Sequence, residues 1–390
     1  MKNLHKFFLL GLILLAINLS APKNSYSIEF TINATLQGLQ EVPSNSSTAS
    51  GSIAIDPANS NIIYFGTGES TFSVVSYYGR GLLKSTNGGD TWTNLTSGLP
   101  ISNSSYTSRI VIRPNKSSHL FAAMSYDGLY RSTNSGTTWT QVVSGRCDDI
   151  VFSPSGDSAY IVGSGTGYRV SVNGGASFTV NGSLPLAAER NHIAICKTNP
   201  NILYASTYDG GSTIKVYKSV DHGLTFSQVA IGQNFSGSQA WYDFYMYVNP
   251  FDANYAYVGS IDIWRTTNGG STNFTNVSNA YGGGNVHPDQ QNMTFHPTDP
   301  NQMLCVHDGG IMKSTNKGLS WINMNTNQTL TQFYRIASDP SNGNHILGGT
   351  QDNGTQRTLG SLNWTAAFGG DGGEVCFHSH FQVPCQRDCF

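Results

Sequence analysis

The side chains able to do chemistry in this chain are carboxylates, and they are scarce: 23 Asp and Glu among 390 residues. Many of them recur in short glycine-punctuated strings. These are "GTGES" (Glu69), "SYDG" (Asp127), "TYDGG" (Asp209), "SIDI" (Asp262), "HDGG" (His307, Asp308) and "TQDNG" (Gln351, Asp352, Asn353). A second set comprises "ERNH" (Glu189, Arg190, His192), "AWYD" (Trp241, Tyr242, Asp243), "NVHPDQQ" (His287, Asp289) and "GGDGGE" (Asp371, Glu374). Two carboxyl groups roughly 5 to 10 Å apart, one with a raised pKa, are the equipment of glycoside hydrolysis. Asp289, Asp352, Asp308 and Glu69 are the candidates for that role. Asp127, Asp209, Trp241, His287, Gln351 and Asn353 are candidate ligand contacts. His287 and Asp289, two residues apart, would project to one side of an extended chain and could polarise a water or hold a metal. Asp before Gly is also an ordinary hairpin-turn pair, which gives Asp127, Asp209 and Asp308 a structural reading. No paired Cys/His spacing is present, so neither a metal nor another cofactor is expected.

The elements that must position these residues come from an internal repeat. "STNGGDTW" at 85–92 returns as "STNSGTTW" at 132 and "STNKGLSW" at 314, and more loosely as "SVNGGASF" at 171, "SVDHGLTF" at 219 and "TTNGGSTNF" at 266. A degenerate "TLGSLNW" ends at Trp364. Between these boxes lies a second repeating segment of two β-rich runs around a Pro or polar break, beginning at residues 53, 110, 150, 193, 246, 293 and 336. Each unit therefore reads strand, turn, strand, loop, strand, box, strand, with no helical periodicity. Seven four-stranded units over residues 51–368 predict an all-β propeller of about seven blades.

The box has a physical explanation as a turn. Its first Ser or Thr and the Asn or Asp two residues later can bond nearby backbone groups. The Gly two further on can take φ > 0 at no Cβ cost, and the closing aromatic begins the outer strand. Asn stands at the third position in five of the six clear boxes and Asp only at Asp221. A turn needs just the side-chain carbonyl, which both supply, whereas cation or acid chemistry would need the charge. Function is therefore expected on the face opposite the boxes, where the acidic loops and Trp241 would converge.

The box resembles the Asp-box, or BNR, repeat of sialidases, sortilin-type receptors and xyloglucanase-like glycosidases. That resemblance implies a β-propeller and a carbohydrate or protein ligand. The chain departs from the sialidase pattern: "SRIVIRP" and "FYRIAS" do not match the F/Y-R-I-P motif of those enzymes. Xyloglucanase-like enzymes place their acids between two propellers, and one is expected here. The resemblance thus implies a propeller that binds a polysaccharide or an extracellular protein, with hydrolysis by an Asp/Glu pair as the alternative.

The ends and the composition complete the picture. Lys2 and Lys6 precede the apolar run at 7–19, and Ser25 and Ser27 follow, the layout of a cleavable secretory signal over residues 1–27. The run is too short for the ~20 residues of a membrane-spanning helix. A secreted or cell-surface monomer with no membrane span after cleavage is expected. Residues 28–50 form an N-terminal segment that could supply a closing strand, and residues 369–390 begin a further repeat before an irregular tail with Cys376, Cys385 and Cys389, as in a truncated longer protein. Cys196 and Cys305 sit in strand patterns as small buried hydrophobes. A net charge of -2 with no basic block leaves no electrostatic footprint for nucleic acid.

Overall fold

The computed structural model describes residues 50–70, 76–101, 105–326, 331, 333–361, 363–377 and 384–387. The expected signal sequence, the segment 28–50 except Ser50, and Cys389 lie outside the described residues.

Seven four-stranded antiparallel sheets follow one another along the chain. The first blade is typical, with strands Ser50–Asp56, Asn59–Thr67, Leu82–Ser85 and Thr93–Leu95 in sequential order. The first strands of the next five blades are Arg109–Ile112, Asp149–Phe152, Arg190–Ile195, Tyr245–Val248 and Gln290–Phe295. From Ser50–Asp56 onward these first strands pack side by side around a central channel. The seventh blade begins at Phe333–Asp339. The molecule is a seven-bladed β-propeller. Helical structure among the described residues is confined to two 3-10 turns, Gly237–Gln239 and Ala280–Gly282. A last strand pair, Glu374–Phe377 with Pro384–Arg387, follows the seventh blade. Glu374–Phe377 lies against Phe333–Asp339, where the inner strand of a further repeat would stand.

The core is a series of apolar layers between blades. Tyr64 and Leu82 of the first blade meet Ile110, Leu120 and Trp139 of the second. Tyr204 and Val216 of the fourth meet Met246, Val258 and Phe274 of the fifth. The closing aromatic of the second to sixth boxes (Trp139, Phe178, Phe226, Phe274 and Trp321) is thus a wedge against the preceding blade, while Trp92 and Trp364 pack on Phe65 and Phe333 of their own blades. Cys196 and Cys305 are buried and free, as their strand positions suggested.

The box is the same hydrogen-bonded turn in six blades. In the second, Ser132 Oγ donates to Asn134 Oδ1 (2.9 Å) and accepts from Gly136 N–H (2.9 Å). Asn134 Oδ1 also accepts from Thr138 N–H (2.9 Å), and Asn134 Nδ2 donates to Thr138 Oγ1 (2.9 Å). Trp139 Nε1 closes the turn on the Gly136 carbonyl (3.0 Å). Gly136 has φ +86°, and a Cβ there would meet Leu95 Cδ1 at 2.6 Å. Where Asp221 replaces Asn, Oδ1 keeps its acceptor role (Thr225 N–H, 2.9 Å) and the hydroxyl partner reverses, Thr225 Oγ1 donating to Oδ2 (2.6 Å). These bonds hold the Asp221 carboxyl down at about 2.

Each box also bonds to the hairpin joining the first two strands of its own blade. Ser135 N–H donates to Ser118 O (2.9 Å), His222 N–H to Asn201 O (3.1 Å) and Lys317 N–H to Asn301 O (2.9 Å). Boxes and first hairpins therefore share one face, and antiparallel alternation sends every other connection to the opposite face.

Trp139→Ala removes a buried wedge and should cost about 3 to 5 kcal/mol, while Asn134→Ala should cost about 1 kcal/mol in lost turn bonds. Asp221→Asn should be close to neutral at pH 7, because five other boxes make the turn with Asn. Urea denaturation of the three variants checks the ranking; an unchanged midpoint for Trp139→Ala contradicts the wedge role.

Candidate functional site

On the face opposite the boxes, several of the connections that follow a blade are stitched to the loop between the second and third strands of that blade. Thr107 N–H donates to Thr67 O (3.2 Å), Cys147 N–H to Ser125 O (2.9 Å), Asp289 N–H to Ile261 O (3.0 Å) and Gly372 N–H to Thr350 O (2.7 Å). The two sets of acidic strings identified in the sequence are these two sets of loops.

Three of the four predicted carboxylates meet there. Oxygens of Asp289, Asp308 and Asp352 all lie within 4.8 Å of one another. Asp289 is buried and the other two are half-buried. Asp308 accepts from the Tyr242 hydroxyl at both oxygens (3.1 and 3.0 Å) and from Gln291 Nε2 (2.9 Å). The Asp352 N–H donates to Asp371 Oδ1 (2.8 Å). Gln239 Nε2 donates to Asp289 Oδ1 and, at 3.4 Å, to Asp243 Oδ2. The predicted ligand contacts on these loops arrive with them. His287 Nε2 stands 3.0 Å from the Asp352 carbonyl, Asn353 Nδ2 donates to the Asp308 carbonyl (3.2 Å), and Gln351 Oε1 accepts from the Tyr334 hydroxyl.

The spacing rationale for His287 and Asp289 does not survive. Asp289 is left-handed (φ +65°), as is Asp352 (φ +60°), so the segment is not extended. His287 turns to carbonyl oxygens, Nδ1 lying 3.1 Å from Pro288 O.

Crowded, partly buried carboxylates raise one another's pKa. Burial, then the charge of Asp352, pushes Asp308 up to about 7. Burial and Asp371 raise Asp352, and burial and Asp352 raise Asp289. Asp243, with no exposed surface, is pushed up to about 9 by burial and by Asp289. His307, ring-stacked on His287 at 5.7 Å, is driven down to about 3 by burial and its neighbour.

Trp241 is 44% exposed beside Tyr242, its ring 5.8 Å away. Arg190 fixes this segment: its guanidinium donates to the carbonyls of Ala240, Trp241, Tyr242 and Phe244 at 3.0 to 3.3 Å. The remaining predicted residues sit on the same face but are not part of the triad. Glu69 is buried, and the backbone N–H of Tyr77 reaches its Oε2 at 3.4 Å. Asp127 accepts from Ser105 Oγ (3.2 Å). Asp209 is exposed and caps its own turn through Gly211 N–H (3.2 Å). Gln239 and Gln291 were not among the predicted site residues, since a lone Gln in a loop or strand carries no spacing signal. Tyr242 and Asp243 were visible only as neighbours of Trp241.

The channel below is a separate polar system. Arg109 pairs with Asp149 (3.5 Å) and donates to the Tyr247 hydroxyl (3.2 Å) across the channel, and His192 Nδ1 lies 3.4 Å from Asp149. Burial opposes ionisation of Asp149, but Arg109 and His192 outweigh it and hold the carboxyl below its ordinary value.

No protein-family model and no curated protein matches the chain. Solved structures do. An ancestral GH74 enzyme aligns over 87% of this chain and 52% of its own, at 18% identity and a TM-score of 0.57. The shared feature is the propeller. YCF48 from Cyanidioschyzon merolae aligns over 81% of this chain and 96% of its own (14% identity, TM-score 0.51). The extracellular domain of a hybrid two-component system from B. thetaiotaomicron covers 81% and 40% (14%, 0.50). Identities this low speak for fold alone, and the chain spans about half the length of the GH74 enzyme.

The raised carboxyl of Asp243 has a signed consequence. The folded protein keeps this proton up to about pH 9, whereas the unfolded chain releases it near pH 4. The folded state then binds the extra proton, so this group lowers stability progressively as pH rises between those values. Asp243→Asn removes the effect and should gain stability relative to the parent as pH rises from 5 to 8 in metal-free buffer. Parallel denaturation curves at the two pH values decide it; an equal difference at both contradicts the raised carboxyl.

Proposed function

We propose that this chain is a secreted Asp-box propeller that binds a polysaccharide over the mouth of its channel. The observation that carries this is convergence: loops from three blade positions bring Asp289, Asp308 and Asp352 within 4.8 Å. Exposed aromatic side chains share the face with them, Tyr77, Tyr78, Tyr126, Trp241, Tyr281 and Tyr334 each being 41 to 79% exposed. All six stand on connections or strand ends of that face. Aromatic faces stack on the C–H faces of sugar rings, while carboxylates and amides accept and donate to hydroxyls. Arg190 holds the Trp241 segment in place before any ligand arrives, which limits the ordering cost of binding.

Hydrolysis is the second reading, favoured by one observation: Asp308, at about 7, is poised as a general acid. Against it, Asp308 and Asp352 are close enough to share a hydrogen bond. A glycosidase pair stands roughly 5 Å or more apart, across the scissile bond.

The discriminating experiment is retention and turnover of the purified chain on a panel of neutral polysaccharides and aryl glycosides. Retention without turnover is expected, with Trp241→Ala weakening it about tenfold through lost stacking. Turnover abolished by Asp308→Asn would instead establish the hydrolase. Retention of an extracellular protein and of no glycan would overturn the polysaccharide assignment.

A further inference from the structure

The acidic triad gathers three carboxyls, with the His287 ring beside Asp289 and Asp352. Among the described residues, no Lys or Arg forms an ion pair with Asp289, Asp308 or Asp352. Neutral partners, Tyr242, Gln291 and Gln239, supply hydrogen bonds but no positive charge. Carboxylates gathered this closely require protons or a cation.

The donor set and its size say which cation. Every candidate ligand atom is a carboxylate oxygen, the preference of a hard ion and not of zinc or copper. Calcium takes oxygens at about 2.3 to 2.6 Å, so two ligands of one ion can stand up to about 4.6 to 5.2 Å apart. The three carboxylates meet that limit, all within 4.8 Å. Magnesium, at about 2.0 to 2.1 Å, demands near-ideal octahedral order and keeps most of its waters, whereas calcium accepts carboxylates in flexible geometry.

A second observation comes from outside the triad. Asp243 exposes no surface, yet its Oδ1 has no hydrogen-bond partner among the described residues. Its carboxyl meets that of Asp289 directly, and the two share the Gln239 amide. A buried carboxylate oxygen without a donor costs on the order of 1 to 3 kcal/mol or more unless something occupies it, and the carboxyl that carries this one abuts Asp289.

We propose that Asp289, Asp308 and Asp352 bind a calcium ion at the channel mouth, with Asp243 behind Asp289 as a positioning carboxyl. The ion would tie the loop of the sixth blade to that of the seventh and to the connection between the fifth and sixth, so it would order the binding face as well as neutralise it. The site does not depend on the glycan assignment, because the ion needs no sugar to bind.

The test uses the whole chain, stripped with chelator, with terbium and calcium as the probes and no carbohydrate present. Tyr242, whose hydroxyl is 3.0 to 3.1 Å from the Asp308 carboxylate, should sensitise terbium emission. Calcium should displace terbium, and calorimetry should give one calcium per chain, bound about tenfold or more tightly than magnesium. Asp289→Asn and Asp352→Asn should each weaken calcium about tenfold or more, while Asp90→Asn, on an exposed turn of the opposite face, should leave it unchanged. Calcium should also raise the melting temperature of the parent chain. The parent chain alone can overturn the proposal: no sensitised emission, no calcium heat and an unmoved melting temperature exclude the site. Calcium affinity equal in the parent and both Asn variants places any ion elsewhere. Glycan retention unaffected by chelator would leave the polysaccharide assignment standing whichever way the metal result falls.

Discussion

The hydroxyl at the first position of each octapeptide turn is the contact on which the blades depend. Ser132 Oγ and its equivalents accept the N–H of the glycine four residues on and donate to the side chain two residues on. That pair of bonds closes the chain over a glycine with positive φ and, in the second to sixth blades, aims the next aromatic at the preceding blade. The wedge in turn fills the apolar layer between sheets. One blade cannot bury its apolar faces by itself; stacked on neighbours through these layers, it becomes one slice of a continuous core.

The alternation of antiparallel strands then separates structure from chemistry. With boxes and first hairpins bonded to each other on one face, the remaining connections have no choice but the other. Those connections carry no repeated turn to build, so their lengths and residues vary. They hold the clustered acids, six exposed aromatics and the two 3-10 turns.

Electrostatics at the mouth and in the channel follow opposite rules. In the channel, Asp149 is buried but flanked by Arg109 and His192, and it stays ionised. At the mouth, Asp243, Asp289, Asp308 and Asp352 are buried or half-buried and crowd one another; burial and mutual repulsion outweigh Arg190 and His287 nearby, and all four are raised. Paired charges of the first kind hold inner strands across the channel. Unpaired ones of the second kind hold free energy that a ligand or ion can release on binding.

The blade count and the face carrying the acids were legible in the sequence, because both follow from local rules: period-two strands, a turn spelled by Ser, Asn and Gly, and the parity of antiparallel connections. The null value of the Asn-for-Asp exchange in the box was legible too, and Asp221 adopts the same turn. Which acids meet was not. Asp127, Asp209, Asp308 and Asp352 look alike as turn residues, yet Asp209 caps its own loop while Asp308 and Asp352 turn toward Asp289. Nor did any spacing announce Gln239, Gln291 or the burial of Asp243, and the extended geometry read into His287 and Asp289 gave way to a left-handed backbone. A repeat is a pattern of short-range bonds and so is written along the chain. A site assembled from residues 243 to 371 depends on how far each loop leans over the channel, on long-range packing and on mutual repulsion, which only the arrangement of the blades in space decides.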